Sequence, residues 1–248
     1  MTFAARQQER EYEQRLRKVM EGTLNGELEA LRYALSHDVC APLRHLDGFM
    51  TLLRARADAT LDAESRHCLD KMAEASGRMR GLMDDVALYL GDAVVEMHVC
   101  EVALSPLVQG IIDELAPHIG ERAIEWRVSA LPLVQGDPAL LRRAFYNLID
   151  NALKFTRRRA LSRITIGCKE EGENAVLCIT DNGEGFDMSY APKLFRVLQR
   201  LHAAHEFEGS GIGLASVARI VSRHGGRVWA EAVQGQGASF FVSIPRLA

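Results

Sequence analysis

"SHDVCAPLRHLDGF", residues 36–49, sets a histidine beside an acid, with a proline five positions further on. Apolar residues recur at steps of three or four on both sides. Tyr12, Leu16, Met20, Leu24, Leu28, Leu31 and Leu35 precede the histidine; Val39, Pro42, Leu46, Phe49 and Leu53 follow it. That spacing predicts a long helix with one heptad-like seam. His37 lies two residues from both Leu35 and Val39, so at about 100° per residue it faces away from the seam, toward solvent. Asp38 can orient an imidazole or accept its proton. Pro42 has no amide to offer the Asp38 carbonyl, so the helix loosens one turn past the histidine. Taken alone, His37 also reads as an ordinary surface residue and Pro42 as a tolerated kink.

Working outward, "RARADAT" (54–60) relaxes the pattern, and a second run follows with Leu69, Met72, Ala75, Met79, Leu82, Val86 and Leu90. Two long helices joined by a short connection make an αα-hairpin. Its remaining apolar face calls for a second copy, hence a homodimeric four-helix bundle. From about residue 98 the texture becomes mixed. "SPLVQGIIDELAPHI" predicts a helix with Ser105 as N-cap and Pro106 in the first turn, and Asp137–Pro138 repeats that signal ahead of "ALLRRAFYNLIDNALKF". "IEWRVS" alternates like a strand. "RITIGCKE" and "AVLCITD" flank a turn, as do "RVWAEAV" and "ASFFVSIP", while "LASVARIVSRHGG" is a helix with a glycine stop. The expected fold is an all-α helical hairpin followed by an α/β sandwich with a mostly antiparallel sheet. The expected domains are an N-terminal coiled-coil helix over 1–27, a dimerisation hairpin over 28–95 and an α/β domain over 98–248.

Composition narrows the function classes. Of the 248 residues, 48% are hydrophobic and 25% charged, enough for a packed core. A net charge of −3 gives no general attraction to nucleic acid, and the "RRR" at 157–159 reads as a solvated helix end. Five scattered cysteines without zinc-like spacing fit reduced thiols in a cytoplasmic protein. No apolar run reaches the length of a membrane span, and the polar N-terminus does not read as a signal peptide.

Three further stretches carry chemistry. In "NLIDNALKFT" (147–156), Asn147, Asn151 and Lys154 share one helical face, a set of two amides and an ammonium suited to a metal–phosphate group or to a plain polar surface. "DNGEGFD" (181–187) follows a strand; Asp181 can accept from an exocyclic amine, and Gly183 and Gly185 let backbone approach a flat ring, although such a run also occurs in ordinary turns. "GSGIGLA" (209–215) leads into a helix and exposes amides at its start, an anion site or simply a loop. A Rossmann fingerprint is excluded because these glycines come late and after an antiparallel hairpin, and a P-loop because no GK[ST] follows.

In this order, and with "KLFRVLQRLH" between the last two, these stretches resemble the H, N, G1, F and G2 boxes of the sensor histidine kinases of two-component systems. The resemblance runs from about residue 28 to the end and is close to the bacteriophytochrome and PAS-linked subgroup. It implies that His37 is the phosphoacceptor and Asp38 its orienting base. It implies that Asn151 holds Mg²⁺ with Asn147 in support, that Lys154 and Arg200 approach the phosphates of ATP, and that Phe155 sits against adenine. Asp181 then reads the adenine amine, with Gly183 and Gly185 completing the pocket. Gly209, Gly211 and Gly213 close on phosphate at the end of a mobile lid between about 187 and 210. The implied partners are a response regulator with a receiver domain, a second copy of the chain and an upstream sensor.

There are departures. Ala41 stands where the family often has Thr or Asn, a position tied to phosphatase activity; Cys40 replaces the usual Arg or Gln, and Leu198 a common aromatic. The ATP-binding half alone would also suit a gyrase-like or MutL-like ATPase, and a degenerate kinase could serve as a dimeric scaffold.

Overall fold

The structure, a computed structural model, describes residues 22–23, 26–199 and 209–246. Tyr12, Leu16, Met20 and Leu24 of the expected seam, most of the expected N-terminal helix, and Arg200 lie outside the described residues. The chain divides into two compact units, Met1–Val95 and Glu96–Ala248, and each is described by itself.

The first unit is helical. Residues 26–34 lead into a π-helical turn, Leu35–Val39, then α1 (Cys40–Ala57) and, after a short turn, α2 (Ala63–Val94). Asp62 starts α2 by accepting the Ser65 amide at 2.8 Å. Pro42 does not break the helix. The wide π turn just before it is the device that accommodates a helix lacking one amide, and it holds His37 and Asp38. The seam also differs from the expected one. In α1 the buried residues are Leu43 and Met50, seven apart, and in α2 Leu69 and Leu90 are buried with Ser76 and Asp92. Leu46, Phe49 and Leu53 are instead exposed, so the α1 part of the expected seam lies on the outer face of the hairpin, while Leu69 and Leu90 of the expected α2 run are buried. Ion pairs Arg54–Asp70 and Arg80–Asp47 tie α1 to α2.

The second unit is an α/β sandwich. In chain order it holds β1 (Cys100–Ala103), α3 (Leu104–Ile119), β2 (Ile124–Val128), β3 (Leu133–Gly136), α4 (Pro138–Phe155), β4 (Ser162–Glu171), β5 (Asn174–Asp181), α5 (Gly213–Arg223), β6 (Arg227–Val233) and β7 (Gly237–Pro245). A 3₁₀ segment, Met188–Lys193, lies between β5 and α5. The main sheet has the order β2-β4-β5-β7-β6 and is antiparallel except for the β2–β4 pair; β1 and β3 form a separate two-stranded sheet. Alternation along the strands sends Ile164, Ile166, Leu177, Ile179, Phe240 and Val242 into one core with Ile111 of α3, Leu148 of α4 and Ile220 of α5. The opposite face carries Trp229 stacked on Phe241, with ring centroids 5.2 Å apart.

The fold class is the expected one: helical hairpin, then α/β sandwich. One local expectation fails. Ser105 does not cap α3, whose N-cap is Ala103 without a side-chain bond. Its hydroxyl instead accepts the Leu131 amide at 3.0 Å, fastening the loop before β3. Asp137 does cap α4, accepting from the amides of Ala139 and Leu140 at 3.0 Å each.

Candidate nucleotide site and phosphoacceptor

In the helical unit, His37 and Asp38 project from the π turn. The His37 Nδ1 lies 2.8 Å from the Asp38 Oδ1, with the two side chains 66% and 73% exposed. A carboxylate accepts only, so Nδ1 carries the proton and Nε2 keeps its lone pair. Tyr33, one turn earlier, stacks parallel to the imidazole at 5.9 Å between centroids and 3° between planes. Sequence reasoning passed over Tyr33, although its i−4 spacing from His37 was a readable signal.

In the α/β unit, α4 supplies Asn147, Asn151, Lys154 and Phe155, all half-buried. The Asn147 Nδ2 donates to the Gly213 carbonyl at 3.3 Å, joining the middle of α4 to the start of α5. The far ends are joined as well. Buried His224, the C-cap of α5, accepts the Asp137 amide on Nε2 at 2.9 Å, and its Nδ1 donates to the Ile220 carbonyl at 2.8 Å. Helix α5 is thus pinned to α4 at both of its own ends, which fixes Gly213 over Asn147. Lys154 pairs with Asp150 at 2.5 Å, one turn back on α4. Any phosphate it meets must compete with that carboxylate.

Asp181 ends β5 and is 4% exposed. Its Oδ1 accepts the Gly183 amide at 2.7 Å. Burial pushes its carboxyl up to about 6, while the Gly183 and Ala238 amides and the Arg159 guanidinium pull the other way. The turn after it packs on the end of α4, where the Glu184 amide donates to the Phe155 carbonyl at 3.3 Å. A side chain at Gly183 would put its Cβ 2.6 Å from that same carbonyl oxygen, and Gly185, at φ +60°, would drive one into the Val233 carbonyl. Phe155, Asp181, Gly183 and Gly185 are therefore brought together.

Gly209 and Gly211, at φ 153° and 74°, lead into Gly213, the first residue of α5, where the Ser210 hydroxyl accepts the Ile212 amide at 3.2 Å. Arg159 corrects the reading of "RRR" as a solvated end: it is half-buried and bonded to the carbonyls of Gly183 and Gly235. Nothing in the local sequence separates it from Arg157 and Arg158. Among the described residues, no group of three His, Cys, Asp or Glu side chains could hold a metal, and no helix is long and apolar enough to cross a membrane.

The chain thus pairs a hairpin bearing a solvent-facing histidine with a sandwich that holds these segments in this order. Residues 136–248 match the family of histidine kinase-, DNA gyrase B- and HSP90-like ATPases. The chain is 32% identical over 229 residues to cyanobacterial phytochrome A of Nostoc sp., covering 89% of this chain and 29% of that protein. It is 30% identical over 226 residues to the methanogenesis regulatory histidine kinase FilI of Methanothrix harundinacea, covering 89% and 25%. The crystal structure of full-length ShkA in complex with AMPPNP superposes with a TM-score of 0.64 at 26% identity, over 87% of this chain and 45% of that one. The chain is thus similar to proteins that include named histidine kinases, and it spans less than a third of the length of these curated relatives.

Proposed function

We propose that the chain phosphorylates itself on His37 with ATP and passes the phosphoryl group to an aspartate of a response regulator. The observation that carries this reading is His37 itself: exposed, with Nδ1 committed to Asp38 and Nε2 free. The Nε2 lone pair attacks the γ-phosphorus of ATP. A P–N bond forms as the bond from phosphorus to the β,γ-bridging oxygen breaks, ADP leaves, and the Nδ1 proton passes toward Asp38. The resulting phosphoramidate is a donor that a receiver carboxylate can take.

Phosphoryl transfer asks mainly for positioning and charge neutralisation. Asp181 accepts from the adenine amine beside Gly183, Gly185 and Phe155. Asn147, Lys154 and Arg200 approach the phosphates, and the amides following Gly209, Gly211 and Gly213 close over them. Asn151, with Asn147 in support, is the residue to hold Mg²⁺, which neutralises phosphate charge when bound. Neutral amides, with no acidic cluster among the described residues, fit an ion that takes few protein ligands and the rest from phosphate and water. The exposed Leu46, Phe49, Leu53, Met72 and Met79 of the hairpin support a homodimer that buries them against a second copy. A cytoplasmic location fits the ATP consumed, and the input comes from an upstream sensor domain or a separate sensor protein.

The test is incubation with γ-labelled ATP and Mg²⁺. Label that stays on the chain, is lost in acid and survives alkali is the expected result. ATP hydrolysis with no label retained would instead favour a gyrase-like ATPase.

A further inference from the structure

Arg159 of the α/β unit makes contacts that the phosphoryl-transfer chemistry leaves unused. Its Nη2 donates to the Gly183 carbonyl at 2.8 Å and to the Gly235 carbonyl at 2.7 Å. Gly183 sits two residues past Asp181 and donates its amide to that carboxylate. Gly235 sits in the turn between β6 and β7, and its amide donates to the Glu184 carbonyl at 2.6 Å. Arg159 and Glu184 therefore close a ring that couples this turn to the loop carrying Gly183 and Gly185. On the other side, β7 holds Asp181 in register with Ala238, and Gly237 packs against the Asp181 carbonyl too closely for any Cβ. The Arg159 Nε is buried without a hydrogen-bond partner. A guanidinium placed at that cost is held by what its other nitrogen binds.

We propose that Arg159 is a positioning and specificity-determining residue of the nucleotide site: by bridging the Gly183 and Gly235 carbonyls it aims the Asp181 carboxylate at the exocyclic amine of adenine. The inference rests on the reading of Asp181 given under Proposed function. Arg159 is also the charged side chain that acts on Asp181, offsetting part of the burial that favours its protonated form. Only the ionised carboxylate is a pure acceptor for an amine donor. Arg159 thus acts on Asp181 twice, through the loop geometry and through charge.

The experiment measures binding of Mg-ATP and Mg-GTP to the whole chain at about pH 6.5 and about pH 8.5, with melting curves as a check of folding. Three proteins are compared: unmutated, Arg159→Met and Arg159→Lys. The unmutated chain is expected to prefer ATP. Arg159→Met should weaken ATP about tenfold at the lower pH, as loss of a charge-assisted contact implies, and recover much of that at the higher pH, with a reduced ATP/GTP ratio throughout. Arg159→Lys keeps the charge, but its side chain is one bond shorter than the one that carries Nη2 to both carbonyls, so its ratio should fall with a near-native pH profile. If Arg159→Met does not fold, the ratio in Arg159→Lys decides. An unchanged ratio and profile in a folded variant, or an equal loss for both nucleotides at both pH values, overturns the proposal. Equal ATP and GTP affinities in the unmutated chain would instead refute the role of Asp181 itself.

Discussion

The Nδ1 of His37 lies 2.8 Å from the Oδ1 of Asp38, its immediate neighbour in sequence, and both sit in a five-residue π turn. Successive residues on an α-helix point about 100° apart, so adjacent side chains do not ordinarily face each other. Here they meet, and the pairing leaves Nε2 as the nucleophilic nitrogen. Asp38→Asn keeps an oxygen that can accept from Nδ1–H but removes the charge that stabilises the imidazolium formed on attack. We expect labelling to slow by about a hundredfold, within the usual range for a lost acid–base partner, with ATP affinity unchanged. Rapid-quench labelling at saturating ATP checks this; an unaltered rate would remove Asp38 from the mechanism.

Tyr33 stacks on the same ring. Aromatic stacking contributes about 0.5–1.5 kcal/mol, so Tyr33→Ala should lower the labelling rate about three- to tenfold without changing the ATP concentration needed. Tyr33→Phe keeps the stack and should restore the native rate. Equal rates in both variants would mean that the ring contributes nothing to positioning.

Asp181 is held at a cost to stability. Its carboxyl titrates near 6 in the fold, against 3.8 without burial. Below 3.8 both states are protonated and the group is neutral in effect; as pH rises toward 6 the unfolded chain ionises first and stability falls. About two pKa units correspond to roughly 3 kcal/mol above pH 6. Asp181→Asn should therefore raise the melting temperature of the nucleotide-free chain at pH 7.5 and lose that advantage near pH 3.5, while binding ATP more weakly. A lower melting temperature at pH 7.5 would contradict this.

Position 41 lies four residues past His37 and presents only a methyl group. A hydroxyl or amide there could hold a water in line with a receiver phosphate, and alanine offers no hydrogen bond. The chain should be kinase-dominant, adding little to the spontaneous decay of its phosphorylated regulator in the presence of ADP. Acceleration that appears only in Ala41→Thr is the expected contrast; marked acceleration by the unmutated chain would refute it.

What was legible in the sequence was local or ordered. Asp137–Pro138 marks the start of α4 because cap and proline are adjacent, and the glycine stop after α5 reads equally plainly. The fold class followed from the succession of segments. Four-residue strands such as β1 and β3 are too short to show a period, and they pair across more than thirty residues. The Ser105 hydroxyl serves a loop 26 residues away, and Arg159 serves carbonyls 24 and 76 residues away, distances over which no spacing rule operates. The outer face of α1 passes for its inner one because both faces carry apolar residues at helical steps. Asn147 and Gly213 stand 66 residues apart, and only the fold brings them into contact.

The most direct measurement of the central claim compares the unmutated chain with His37→Gln for label retained from γ-labelled ATP, with Mg-ATP affinity and melting curves measured alongside. His37 is exposed and makes no core contact, so the substitution should leave folding and ATP binding intact. Complete loss of acid-labile label in His37→Gln, with native affinity for Mg-ATP, is the predicted result. Label retained at full stoichiometry in that variant would contradict the assignment of His37 as the phosphoacceptor.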